Sequence, residues 1–455
     1  MRACLECPGW LSQRDEGRLR YALSLARLTD VRASDGRDVD LADLLRPLRT
    51  RLTETLSPLL LDRRGVVNRP EIGSLLPILT ELAREHRDRL KEETRDLIAW
   101  EDIDAEIRNK ILVLACGGGG GSGYVYLGAF QTLEDRGITP SLISGTSIGG
   151  ILGAFRARSL SFNIGDVPRV FRTLAWGGLF KPSNSRGNYG LPGPLRLDLR
   201  DGIGRFFRGD GSDYARLKDL PIPLIVMATG IRQGELPHEP EWYEHRLDLE
   251  ASALGKRRFG ARWARDVVRG LWRAVSDLAQ RPGALRSLVL GADGVTRSYD
   301  VLDAIGFSAA VPGVIHYDLH SGSKRMAGLL DQLFEQRQLL RLTDGALVDN
   351  VPARAAWRAV QSGRLGRRNA LVLAMDAFAP KLTQPMWIPL QRMARPNVLR
   401  SIRYAHIIKT FTRTLSPLEV VPPPERLQKA IQWGREELAH EMPLVERLLA
   451  PLPDI

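Results

Sequence analysis

Two short apolar runs, each leading into glycine and then into a helix-like pattern, constrain this chain more than any other feature. The first is Ile111-Leu-Val-Leu-Ala-Cys116, followed by glycine at every position from Gly117 to Gly121 and again at Gly123. The second is Leu142-Ile143-Ser144, which runs directly into Gly145-Thr146-Ser147-Ile148-Gly149 and a helix starting near Ile148. Short, unbroken apolar runs suit strands buried on both faces, the usual condition in a parallel sheet. Between them, Leu127 through Leu133 to Arg136 reads as a helix closed by Gly137. Further strands are expected at Pro223–Ala228 and Ala370–Met375. Strands alternating with helices predict an α/β chain with a mostly parallel sheet covered on both faces.

Gly145-Thr-Ser-Ile-Gly149 is a G-x-S-x-G between a strand and a helix, the setting a nucleophile elbow requires. So tight a turn needs small residues two positions either side of the serine, and Gly145 and Gly149 meet that need. Ser147 would then project, exposed, above the sheet edge at a helix N-terminus, where the dipole favours developing negative charge. The glycine run supplies the complementary chemistry. Backbone N–H groups of a loop without side chains can approach the oxygen of a carbonyl turning tetrahedral. Gly118, Gly120 and Gly123 also satisfy G-x-G-x-x-G. A dinucleotide site, however, wants an acidic residue at the end of the next strand, and Ser144-Gly-Thr-Ser147 stands there. A Walker A loop would need Gly-Lys-Ser/Thr, which is absent.

A serine nucleophile needs a base. None of the seven histidines (86, 238, 245, 316, 320, 406 and 440) lies in a catalytic motif, although His316 and His320 share a helical spacing. Thr343-Asp344-Gly345-Ala346, followed by Val348-Asp-Asn-Val-Pro352, closes an apolar segment. Taken alone, Asp-Gly there reads as a turn. A carboxylate acting directly on the serine proton is nevertheless an allowed route to an active nucleophile. It would need a partly apolar pocket to raise its pKa toward neutrality.

A Gly-rich loop after one strand, G-x-S-x-G after the next and Asp-Gly-Ala far downstream together resemble the patatin-like phospholipases. The flanking text agrees: Leu127–Ile138 resembles the family's first helix, Pro223–Glu235 its next strand and turn, and Phe307–Gly313 its Ser/Ala-rich helix end. The resemblance covers about residues 110–380. It implies a three-layer α/β/α fold and hydrolysis of acyl esters in phospholipids or lysophospholipids. It further implies Ser147 as nucleophile, Asp344 as base, the amides of Gly118, Gly119, Gly120 and Gly121 as oxyanion hole, and neither cofactor nor metal. Two positions depart from the family's pattern. Ser122 stands where the loop usually carries Arg or Lys, which bears on phosphate contact, and Tyr126 where His is common. Acyl transfer to another acceptor is the alternative activity, and a catalytically weak, membrane-binding regulatory protein is the alternative class.

Residues 1–105 read as helices with short breaks. Leu41, Leu44, Leu45, Leu48, Leu52 and Leu56, then Leu75, Leu79, Leu82 and Leu90, recur at helical spacing. The catalytic domain is expected over 106–415, with an insertion at about 235–298 that contains no clear strand, and 416–455 form a helical tail. No apolar stretch reaches the roughly 20 residues of a membrane span, and no secretory signal is visible, so the expectation is a cytoplasmic protein. The net charge of +12 is open to three readings: a nucleic-acid partner, an anionic membrane surface, or simply a solvated basic surface. In 256–278, Trp263, Val267, Leu271, Val275 and Leu278 would line one side of a helix. Arg262, Arg265, Arg269 and Arg273 would line the other, with Trp272 at the boundary: the composition of a segment that lies on the inner face of a membrane. Packing of the same helix as a lid is the competing reading. No nucleic-acid fold is recognisable. Three cysteines, Cys4, Cys7 and Cys116, make no disulfide framework, and one CxxC is too few ligands for a zinc site.

Overall fold

The computed structural model describes residues 10–61, 67–165, 176–183, 187–208, 213–234, 282–320, 322–380 and 388–455. The basic stretch 256–278, with Arg262, Trp263, Arg265, Arg269, Trp272 and Arg273, lies outside these residues, as do Cys4 and Cys7. Two compact units account for the chain. One comprises 1–112, 358–371 and 441–455, and the other 113–357 and 372–440.

The first unit is built on α1 (Gln13–Arg27), α2 (Arg46–Leu56), α3 (Arg69–Glu93) and α4 (Trp100–Arg108). Ser12 caps α1 by accepting the Asp15 amide (3.1 Å), which satisfies one donor a helix start leaves open. The leucines at helical spacing are the core: Leu41, Leu45, Leu48, Leu52, Leu56, Leu79, Leu82 and Leu90 are buried with Tyr21, Leu25, Ile103 and Ile107. A short antiparallel hairpin, β1 (Asp30–Arg32) and β2 (Asp38–Asp40), interrupts the helices with Val31 opposite Val39. Its turn uses Gly36 at φ 88°, a conformation that favours glycine.

The second unit contains, apart from residues 111–112 and 370–371, a seven-stranded sheet in the order β10-β7-β4-β3-β11-β12, with β8 also on β7. Its strands are β3 (Ile111–Cys116), β4 (Leu142–Thr146), β7 (Leu224–Arg232), β8 (Leu285–Leu290), β10 (Leu339–Asp344), β11 (Ala370–Asp376) and β12 (Ile407–Thr410). The helices that concern the site are α5 (Val125–Glu134), α6 (Ile148–Ala157), α7 (Val301–Ser308), α8 (Lys324–Arg337) and α9 (Ile388–Ser401). β4 pairs in parallel with β3 and with the first half of β7, from Ile143↔Leu224 to Thr146↔Met227. β7 outruns β4, and β10 takes up its second half antiparallel, ending at Asp344↔Ala228. β8 pairs antiparallel with β7 from Val226↔Leu290 to Ile231↔Leu285. Because β8 overlaps both pairings, β4 and β10 must share the opposite edge of β7.

Two expectations need correction. Leu285–Leu290 is a strand of the main sheet, although it falls inside the stretch read as a strandless insertion. Its burial is irregular, which hides the period. His316 does not lie on a helix with His320; it belongs to β9 (Ile315–His316), in a small sheet with β5 (Phe180–Pro182) and β6 (Leu195–Leu197). Among the described residues no helix is long and apolar enough to cross a membrane.

Candidate active site

β4 ends at Thr146 and α6 begins at Ile148, so Ser147 alone makes the turn between them. Its backbone sits at φ 52°, ψ −124°. Among the described non-glycine residues only Ser147 and Gln338 have positive φ, and Gln338 is the left-handed cap that ends α8. Strain of this kind costs about 1–3 kcal/mol and persists only where surrounding contacts impose it. Here the Ser147 amide donates to Ser308 Oγ (2.8 Å), and its carbonyl accepts from Gly150 (2.9 Å) and Ile151 (3.1 Å). A Cβ on Gly145 would lie 2.6 Å from the Gly149 carbonyl oxygen and the Gly150 Cα, so the elbow closes only with glycine there. Ser147 is buried, not exposed as the sequence suggested.

Asp344 reaches the same place from the other direction. Its backbone is fixed at every polar atom: the amide donates to the Ala310 carbonyl (2.9 Å) and the carbonyl accepts the Thr229 hydroxyl (2.7 Å). Neighbouring Thr343 also donates its hydroxyl to Ala310 (2.8 Å). The carboxylate accepts the Ala346 amide (2.7 Å) and faces the Ser147 hydroxyl. Burial pushes this carboxyl up to about 6, with the Ala346 amide and the Ser147 hydroxyl pulling it back. Ser308 and Ala310, two residues apart at the end of α7, thus hold the amides of both candidate residues.

The four loop amides are not equivalent. Gly118 N–H donates to the Asn350 carbonyl (3.1 Å) and Gly121 N–H to that of Pro417 (3.0 Å), so neither is open to a substrate oxygen. The amides of Gly119 and Gly120 have no acceptor among the described residues, and neither does that of Ile148, the first in α6. The amides of Gly119, Gly120 and Ile148 are thus left as candidate oxyanion donors, whereas Gly118 and Gly121 of the expected four already have acceptors. Gly119 lies at φ 135°, and a Cβ there would come within 2.6 Å of Ser122 Oγ and 2.8 Å of Phe378 Cβ.

A model of the patatin-like phospholipase family matches residues 114–357, more than half of the chain. The chain belongs to that family. No curated protein matches it. The matched range holds the glycine run, the elbow and Asp344. As a patatin-like phospholipase the protein has the α/β/α fold and stands among lipid acyl hydrolases.

The two departures from the patatin-like pattern have local uses. Ser122, in place of a cation, donates its hydroxyl to the Gly119 carbonyl (2.7 Å) and pins the loop on itself. Tyr126 is fully buried, donates to the Met375 carbonyl (3.1 Å) and accepts the Ala377 amide (3.1 Å), so it fastens α5 to the end of β11. His316 Nδ1 pairs with the Leu191 carbonyl (3.1 Å), and burial lowers its pKa. Among the described residues no group of three or more His, Cys, Asp or Glu is placed to hold a metal ion. Sequence reading missed Ser308, whose role is one tertiary hydrogen bond. It missed Asp349 as well. That carboxyl is pushed up to about 7 by burial and accepts the Ser401 hydroxyl (2.9 Å), while the backbone carbonyl of Asp349 accepts the Thr146 hydroxyl (2.9 Å).

Proposed function

We propose that this patatin-like phospholipase is a serine lipid acyl hydrolase working through a Ser147–Asp344 dyad on phospholipids or lysophospholipids. The observation that carries the reading is the strained Ser147 elbow facing a buried carboxyl whose pKa is raised to about 6. An ordinary aspartate is too weak a base to take a serine proton; one displaced toward neutrality is better matched to that task.

In the proposed cycle Asp344 accepts the Ser147 proton as Oγ attacks the acyl carbonyl. The oxygen that becomes negative receives N–H groups of Gly119, Gly120 and Ile148, aided by the α6 dipole. The tetrahedral species collapses, the glycerol oxygen of the lysophospholipid (or, from a lysophospholipid substrate, of the glycerophosphodiester) leaves with the proton from Asp344, and the acyl group stays on Ser147. Water, deprotonated by Asp344, attacks the acyl carbonyl, and the fatty acid departs as Asp344 returns that proton to Ser147 Oγ. Every proton and acyl group is accounted for by these residues and water.

Two measurements test this. A fluorophosphonate probe should label the wild type and not Ser147→Ala. Membrane lipids incubated with the two proteins should differ in lysophospholipid and free fatty acid. Equal labelling of the variant, or identical lipid profiles, would overturn the assignment. Transfer to an added alcohol in place of water would instead point to an acyltransferase on the same serine.

A further inference from the structure

The stretch 377–418 contains no Asp or Glu, yet carries Lys381, Arg392, Arg395, Arg400, Arg403, Lys409 and Arg413. Within it, α9 and the turn after it expose Arg392, Arg395, Leu399 and Arg403, which recur every three or four residues and so share one helix face. Gln391, Val398 and Ser401 of the same helix are buried. Lys409 and Arg413 pair with Glu437 and Glu436. Arg392, Arg395, Arg400 and Arg403 have no carboxylate partner among the described residues.

Apolar groups are exposed in the same stretch of chain, Leu399 and Tyr404 on α9 and the turn after it and Ile408 in β12. Leu399 (45%), Tyr404 (38%) and Ile408 (39%) are three of the four large hydrophobic side chains left exposed among the described residues of the second unit. The helix itself is tied to the candidate site. Asn397 Nδ2 donates to the Leu347 carbonyl (2.7 Å), three residues past Asp344, and Ser401 donates to Asp349 (2.9 Å).

We propose that this face of α9 and the turn after it dock on an anionic phospholipid surface. Arginines with no carboxylate partner among the described residues attract phosphate head groups, and interleaved Leu399 and Tyr404 suit the head-group–acyl boundary, where two weak signals together give useful binding. A nucleic acid would use the charge but leave the aliphatic side chains without a partner. The proposal rests on the lipid hydrolase reading and gives it an interface within reach of Asp344.

The test uses the full chain, with vesicles of phosphatidylcholine alone and of phosphatidylcholine mixed with phosphatidylglycerol, in co-sedimentation. Wild type should sediment with the mixed vesicles and lose binding as salt rises. Each near-surface arginine is worth about a factor of five in partitioning. The triple variant Arg392→Gln/Arg395→Gln/Arg403→Gln should therefore bind about 100-fold more weakly, and the matching triple lysine variant should bind nearly as wild type. All three side chains are exposed, and an unchanged circular dichroism spectrum confirms that the variants fold. Failure of wild type to bind mixed vesicles, or equal binding by the glutamine variant, would overturn the proposal. So would a duplex oligonucleotide that binds this face when vesicles do not. Hydrolysis of a short soluble ester, run in parallel, reports on the dyad alone. Its loss in the wild type would remove the hydrolase reading and leave the vesicle result standing.

Discussion

Thr146 and Asp344 stand opposite consecutive residues of one strand, Met227 and Ala228, so β4 and β10 end face to face along a single edge of β7. Ser147 is the next residue after one strand end, and Asp344 is the other end. Segments nearly two hundred positions apart are thereby brought together by backbone pairing, without relying on a loop. A pair held on rigid elements keeps its geometry better than one carried on a flexible connection. Ser308 and Ala310 add a second tether from α7 to each partner.

Replacing either partner should disable the enzyme. Ser147→Ala should leave no burst and no acyl-enzyme. Asp344→Asn, whose amide cannot take the proton, should lower kcat on p-nitrophenyl butyrate by roughly 10²- to 10⁴-fold. Circular dichroism should be unchanged in both. Wild-type turnover in Asp344→Asn combined with a dead His316→Ala would point to a histidine base instead.

The pH profile should follow the Asp344 carboxyl. Only its ionised form can accept a proton, so kcat/KM on a soluble ester should rise with unit slope up to about pH 6 and flatten above it. Stability runs the opposite way. The folded pKa lies above the unfolded value, so the native state pays for ionisation above about pH 6, and the penalty fades as pH falls toward 4. Asp344→Asn should therefore be more stable than wild type at pH 8, by on the order of 2–3 kcal/mol, and not at pH 4. Urea titrations at the two pH values read this directly, and equal midpoints for variant and wild type at pH 8 would contradict the raised pKa.

Ser308 should behave as a positioning residue. Ser308→Ala removes the acceptor for the Ser147 amide and leaves a buried donor unpaired, which costs about 1–3 kcal/mol at the strained turn. The expected signature is a fall in kcat of about 10-fold or more, a KM within about twofold, and slower fluorophosphonate labelling. A merely structural role would lower the urea midpoint and leave labelling of the folded fraction at the wild-type rate.

Gly119→Ala should be worse for activity than for folding. The residue sits at φ 135° with Ser122 and Phe378 against any added Cβ, so the loop must shift and its two open amides with it. Loss of one oxyanion donor costs about 10²- to 10³-fold in kcat. The contrasting control is Gly137→Ala, also at positive φ but facing open space, which should cost stability and leave kcat alone.

The legible parts of the fold were those whose chemistry is local. Gly145 is required by the turn itself, and the apolar runs 111–116 and 370–375 have no polar residue to confuse their period. Asp344 was legible only in company, because Asp-Gly alone reads as a turn. What escaped depends on distant partners. β8 sits in an Arg-rich stretch, and its strand character comes from pairing with β7. Ser308 is one serine among small residues until Ser147 folds against it. The amides of Gly118 and Gly121 look free in a glycine run, and only the returning carbonyls of Asn350 and Pro417 show otherwise. The β1–β2 hairpin did carry a signal, Asp35-Gly36 between Val31 and Val39, which the surrounding leucine spacing obscured.

The pairing of β8 with β7 has one more implication. Ile231 and Leu285 face each other across adjacent antiparallel strands, so the chain leaves the sheet and returns to it at a single gate. Whatever joins them is a closed excursion, and doubling the length of such an excursion costs only about 0.6 kcal/mol in closure entropy. Ala228, which sets the position of Asp344, is indifferent to that length. A change of length between the two strands should therefore leave the pairing of Ala228 with Asp344 in register.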